Sequence, residues 1–222
     1  MFKTSAPPES KGDSTRRLIL SSALALFRRK GFDRTTMRDI ASASGMSLGA
    51  AYHYFPSKDS LALAYGEWMQ GEHERRYRAA CSPDSDPKTR LTILFETKLD
   101  LLRDDRKLLA ALFGNLADAS HPRSVFSRRS ADLRERSIAL FAEAAGDPDL
   151  LGPLLWLAHL GVFLHFVHDD SRKQSRTRKL VGVVVDLAAG AAPLLALPAA
   201  AGLRRRILEL SSGLRPARRS RR

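Results

Sequence analysis

The sequence predicts an all-α protein, a small N-terminal helical domain followed by a larger helical bundle, and three observations carry that reading. Apolar residues recur at spacings of three and four along nearly the whole chain, and no stretch shows the strict alternation of a half-buried strand. Glycine, proline and small polar residues punctuate that pattern at helix-length intervals. Near residue 45, two short helical segments meet at a single glycine, flanked on both sides by long helices. With 222 residues and 44% hydrophobic content, the chain is long and apolar enough to bury a proper core.

Taken in order, residues 1–13, with Pro7, Pro8 and Gly12, read as a flexible arm. A helix is expected from about Thr15, because Ile19, Ala23, Leu26 and Phe27 fall on one stripe. It stops at Gly31 after three cations, a distribution that the helix macrodipole favours at a C-terminus. A short second helix follows, with Thr35 or Thr36 as N-cap, and ends at Gly45. A third runs from an N-cap at Ser47 to about Phe55, before Pro56. A long helix is predicted from Lys58 to about Cys81. Further helices are expected over 87–104, 106–118, 124–145, 149–168, 173–196 and 199–213, with domains at 14–60 and 61–214 and a basic tail at 215–222.

Charge is concentrated at the ends. Of the net +13, residues 1–60 hold ten Lys/Arg against five Asp/Glu, and residues 203–222 hold eight against one. Basic ends on a near-neutral body point to a polyanionic partner, nucleic acid before acidic lipid. The single cysteine, Cys81, excludes an internal disulfide and suits a reducing cytoplasm. The N-terminus has no apolar core of a secretory signal. No glycine-rich phosphate loop, nucleophile elbow or zinc-helix motif is present, so no nucleophile, base and stabiliser can be assembled; the reading is not an enzyme and needs no cofactor or metal. His165 and His168, one helical turn apart, read as a helix end rather than a metal site.

The two short helices describe a helix-turn-helix, in which Gly45 permits the left-handed backbone that ends the first. Ser47, Leu48, Gly49 and Ala50 open the second helix with mostly small side chains, which lets its backbone approach a duplex closely. Successive helical residues point about 100° apart. Tyr52, His53 and Tyr54 therefore divide between an inward face shared with Phe55 and an outward face bearing donors for phosphate oxygens. Lys58 adds a cation at that rim. Thr36 and Arg38, at the start of the preceding helix, are placed to grip the flanking backbone, and Arg38 is long enough to reach a guanine edge.

The stretch "FRRKGFDRTTMRDIASASGMSLGAAYHYFPSK", Phe27 to Lys58, resembles the DNA-binding region of TetR/AcrR-family transcriptional regulators. It matches at Phe27, Gly31, Phe32, Thr35, Thr36, Ile40, Ala41, Gly45, Ser47, Gly49, Tyr52, Tyr54, Phe55 and Lys58, and departs at Met46, where valine is commoner. The strong resemblance covers about residues 15–65. It implies a homodimer with two DNA-binding domains on helical ligand-sensing and dimerisation domains, acting on a palindrome as a repressor released by a small molecule. It also implies dimerisation through the last long helices, about 150–168 and 173–196.

The apolar run Leu180–Leu203 is long enough to span a bilayer, but Asp186, Pro193 and Pro198 and its many small residues favour a helix–helix interface. Phe95, Leu99, Leu102, Leu112, Phe113, Leu116, Phe141, Trp156 and Phe163 are the expected lining of an effector pocket. Few charges fall on those faces, so a mainly apolar effector is expected. The competing reading, a helical membrane-surface or protein-interaction module with a basic tail, predicts liposome binding and no preference for DNA sequence.

Overall fold

The computed structural model describes residues 10–82, 84–114, 118, 120–147 and 150–212, with side chains as far as residue 209; these residues form helices and turns with no strand among them. The chain divides into two compact units, Met1–Tyr65 and Gly66–Arg222, so the division falls past the residue 60 expected from sequence.

In the N-terminal unit, α1 (Lys11–Lys30) begins earlier than the periodicity indicated and takes residues 11–13 out of the expected arm. The reason is local. Ser10 is its N-cap: the Oγ accepts from the Asp13 amide at 3.1 Å and donates to the Asp13 carboxylate at 2.6 Å. The predicted stripe is the buried face, with Ile19 and Ala23 fully buried and Leu26 and Phe27 nearly so.

Helix α2 (Met37–Ala43) starts with a capping box: Thr36 Oγ1 accepts from the Asp39 amide, and the Asp39 carboxylate accepts from the Thr36 amide. It ends in a Schellman turn, in which the Met46 amide donates to the Ala41 carbonyl at 2.9 Å and the Gly45 amide to Ser42 at 3.2 Å. Gly45 sits at φ +67°, in the region that favours glycine. Helix α3 (Leu48–Tyr54) is capped by Ser47 as predicted. Ala51 and Phe55, one turn apart, point inward at 0% and 1% exposure, and the Arg16 guanidinium lies 4.9 Å from the Phe55 ring centre.

Helix α4 (Lys58–Ala80) begins in the first unit and ends in the second. The C-terminal unit continues with α5 (Pro87–Leu102), α6 (Arg106–Leu112), α7 (Ala131–Ala145), α8 (Leu151–His168), α9 (Ser175–Ala196) and α10 (Ala201–Ser212). Here α7 packs along α8, while α5 lies against both α7 and α9. Helix α5 opens on Asp86, which accepts from the Lys88 and Thr89 amides, with Pro87 in the first turn where its missing N–H costs nothing. Phe95 and Phe141 meet at 5.3 Å in the core. Burying one such ring contributes about 1.5–3 kcal/mol.

Two expected helices are shorter than predicted. The helix over 106–118 ends at Leu112, and the helix over 124–145 starts at Ala131. Between them, amides donate three residues back from Ser124, Ser127 and Ser130 in succession, a staircase of turns. Pro122 has no amide to give to a helix, and serine hydroxyls compete for backbone groups. Ser130 Oγ donates to the Ser124 carbonyl at 2.7 Å, and Arg134 donates to the Val125 carbonyl at 2.6 Å. Periodicity alone cannot see these side-chain bonds.

Arg106 is the other long-range fastener: its guanidinium donates to the carbonyls of Phe166, Val167 and Asp169 at the C-terminal end of α8, the first of which also accepts from the Asp169 amide. Asp169 then accepts from the amide and hydroxyl of both Ser171 and Thr177. Burial alone would raise its pKa, but these four donors outweigh it and hold the carboxyl well below the usual range.

Candidate nucleic-acid interface and ligand cavity

The exposed face of α3 follows from its inward one. With Ala51 and Phe55 buried, the rows Leu48–Tyr52 and Gly49–His53 face solvent; Tyr52 is 48% exposed. Ser47 is exposed as well, while Ala50 and Tyr54 are half-buried, and the His53 and Tyr54 rings meet edge-on at 5.3 Å. Thr36 and Arg38 are exposed at the start of α2. No acidic side chain occurs between Ser47 and Tyr54. Asp39, the acid of α2, is taken up by the Lys30 ammonium at 2.6 Å and by Thr36, and these bonds keep its carboxyl well below the usual range. A surface of small side chains, a tyrosine hydroxyl and an imidazole, free of carboxylates, is suited to a phosphate backbone.

Lys58 is placed differently from the sequence expectation. Its ammonium donates to the Phe32 carbonyl at 2.8 Å and to Asp33 at 3.2 Å, and lies 4.6 Å from the Phe32 ring centre. It ties the start of α4 to the loop between α1 and α2.

Residues 19–65 match the family model "Bacterial regulatory proteins, tetR family". This segment is a TetR-type DNA-binding region. Among curated relatives, YuxN of Bacillus subtilis, an uncharacterised HTH-type transcriptional regulator, is 34% identical over 88 residues, which are 38% of this chain and 30% of that protein. The HTH-type transcriptional repressor KstR2 of Mycobacterium tuberculosis is 33% identical over 94 residues, 40% of this chain and 45% of that one. The chain thus spans less than half the length of these two relatives. Among solved structures, a TetR regulator from Nitrosomonas europaea is similar with a TM-score of 0.66 and 22% identity, over 80% of this chain and 99% of that one. The TetR-family repressor FadR of Thermus thermophilus, in complex with lauroyl-CoA, is similar with a TM-score of 0.61 and 22% identity, over 78% and 93%. At this identity the likeness is one of fold, and it extends through the C-terminal unit.

Within that unit the chain holds a partly open cavity of about 90 Å³. Of the predicted lining residues, Leu102, Phe113, Trp156 and Phe163 face it. Phe95, Leu99, Leu112 and Phe141 do not: they are 0–3% exposed and pack into the core around it. Leu116 lies outside the described residues. The wall also carries polar groups that sequence reasoning passed over, including Gln70, Lys98, Arg134, Ser137 and His159. Two of these, Lys98 and Arg134, carry charge.

The signal for Lys98 was present in the sequence: Leu91, Phe95, Lys98 and Leu102 form one helical stripe, with a cation in the third place. Burial lowers the Lys98 pKa to about 8, and burial, with the nearby Lys98 charge, brings His73 down to about 3. His73 Nε2 lies 2.8 Å from the Leu94 carbonyl, so that nitrogen carries the proton. His165, weighed above as a metal ligand, has its Nδ1 2.9 Å from Thr177 Oγ1.

Proposed function

We propose that this chain is a homodimeric, ligand-responsive transcriptional regulator that binds a palindromic operator in the cytoplasm and acts as a repressor. The observation that carries this is the outward face of α3: an acid-free helix with small residues at its start, held on α2 by a Schellman turn. Two such helices entering successive major grooves lie roughly 34–36 Å apart on a palindrome. The similarity to KstR2, a repressor, and to FadR, a repressor in complex with lauroyl-CoA, supports the repressor and ligand elements. Ligand binding acts by favouring a conformation with lower operator affinity. Thr36, Arg38, Ser47, Leu48, Gly49, Ala50, Tyr52, His53 and Tyr54 form the DNA-contacting surface in this reading, with Lys58 holding its frame. Arg16, Arg17 and the arginines after Arg215 add sequence-independent affinity; those after Arg215 lie outside the described residues.

Selection of duplexes from a random library, at fixed salt, is expected to recover a palindrome. Recovery of random DNA would overturn the assignment. Tyr52→Phe is expected to weaken operator and non-specific binding together, by about tenfold or more for one lost hydrogen bond to a charged oxygen; an unchanged affinity would remove Tyr52 from the phosphate contacts.

The dimer rests on a second observation. Val183, Leu187 and Leu194, on one stripe of α9, are 55–68% exposed, and Leu154, Leu157 and Leu164 are exposed on α8. Two helices, Leu151–His168 and the segment 172–196, are long and apolar enough to cross a membrane, and the second has only 11% of its apolar window buried. Apolar area of this kind needs a cover, and a second copy packed as a four-helix bundle supplies it. Leu187→Glu is expected to convert the dimer to a monomer in sedimentation equilibrium and to abolish palindrome binding. Retention of the dimer, or partition of the wild-type chain onto liposomes instead of into dimers, would overturn the interface.

A further inference from the structure

The cavity of the C-terminal unit is apolar on most of its wall, through Leu102, Phe113, Leu133, Trp156, Leu160 and Phe163. Its polar helical side chains come from four helices, α4, α5, α7 and α8. Lys98 projects from the buried stripe of α5 and, among the described residues, makes neither an ion pair nor a hydrogen bond. The acid whose field it feels is Glu74, which is already paired with Arg136 at 2.9 Å and accepts from Gln70 at 3.1 Å. Ser137 of α7 lines the same cavity, is 8% exposed, and has no hydrogen bond among the described residues. His159 of α8 is packed on the Phe141 ring at 5.2 Å, and its Nδ1 is buried without a partner. Arg134 also lines the cavity, but it is engaged by the carbonyls of Val125 and Ser127. The cavity therefore holds more positive charge than its own acids offset. Lys98 is half-buried; a partly desolvated charge without a partner is costly, and a ligand that supplies the opposite charge removes that cost.

We propose that the cavity binds a small carboxylic acid with an apolar body, its carboxylate paired with the Lys98 ammonium and accepting a hydrogen bond from Ser137 Oγ. The apolar walls take the hydrocarbon part, and Lys98 selects an anion over a neutral or cationic head. At neutral pH Lys98 remains mostly protonated, since its pKa is lowered only to about 8. This deepens the ligand-sensing part of the proposed function and rests on it for its regulatory meaning.

The test uses the full-length chain and three probes with the same tail: octanoate, octanol and octylamine, with benzoate as a second carboxylate. Thermal shift and calorimetry are expected to show saturable binding of octanoate, with octanol and octylamine at least tenfold weaker. Lys98→Met is expected to melt higher than wild type without ligand, to weaken octanoate at least tenfold and to leave octanol unchanged; Lys98→Arg restores part of the octanoate affinity. Ser137→Ala is expected to weaken octanoate several-fold. Equal affinity for octanoate and octanol, undiminished octanoate binding by Lys98→Met, or no binding of either carboxylate would overturn the proposal. Octanoyl-CoA serves as the competing source of the acyl chain: if it binds and octanoate does not, the free carboxylate is excluded. Operator release is read separately. Octanoate that binds through Lys98 but leaves the DNA complex intact keeps the site and defeats the ligand-responsive reading.

Discussion

Lowering the pH from about 7 to about 5 is expected to cost about 2 kcal/mol of stability through His73 alone. His73 is 2% exposed, its pKa is lowered to about 3 by burial and the Lys98 charge, and one ring nitrogen has no partner. An unfolded histidine titrates near 6.5. Between these two values the unfolded chain holds a proton that the folded chain does not. The stabilisation is therefore complete above about 6.5 and is lost progressively as pH falls towards about 3.

His159 is shifted in the same direction, by burial first and then by the charges of Lys98 and His73, and adds to the loss. The groups around the pair are Lys98 and Arg134, both cationic, and Glu74, which is held by Arg136. The cations oppose protonation of either imidazole. Urea unfolding followed by fluorescence, at several pH values in this window, is expected to show a falling midpoint. In a His73→Gln, His159→Phe double variant the slope should be nearly flat above the range where carboxylates titrate. An equal slope in both proteins would show that the histidines are not the titrating groups.

Gly152→Ala is expected to destabilise the C-terminal unit, at a cost in the range of about 1–3 kcal/mol for overpacking, and Gly152→Val more than that. An added Cβ would lie 2.8 Å from Ala142 Cβ, 3.1 Å from the Ile138 carbonyl oxygen and 3.3 Å from Ala142 Cα. These atoms belong to the α7 backbone or sit next to it, so no rotamer change relieves the clash. The first turn of α8 must move away from α7, its main packing partner. Gly71, inside α4, is the control: its added Cβ would meet only an Arg136 side-chain nitrogen at 4.0 Å. Gly71→Ala is expected to be stabilising by about 0.5–1 kcal/mol, the helix propensity gain. Thermal unfolding of the two variants side by side separates close packing from propensity, and equal behaviour would refute the packing role of Gly152.

The N-terminal unit was largely legible because its signals are local. Capping by Thr36 and Ser47, the turn at Gly45 and the stripe from Ile19 to Phe27 depend on residues within a turn or two of each other. What misled there was Ser10, which lies before the first apolar residue and so leaves no mark on periodicity. The bonds of Lys58 were not legible either, because its carbonyl partners are 25 and 26 residues away in sequence. In the C-terminal unit, nine apolar residues were equally good lining or core by pattern, and the structure sends four to the cavity and four to the core. A stripe gives the face of a helix that is buried, not the gap left between four helices.

The sequence by itself determined the helical class, the position of the helix-turn-helix and the acid-free face that it presents, since each follows from spacing and capping along one segment. Only the tertiary structure decided where the cavity lies, and that, among the described residues, Lys98 and Ser137 reach it without partners and the leucines of α8 and α9 remain uncovered. The physical reason is range. Helix formation and capping are settled over a few residues, whereas a void, a desolvated charge or an uncovered face depends on how several helices, distant in sequence, fill space together.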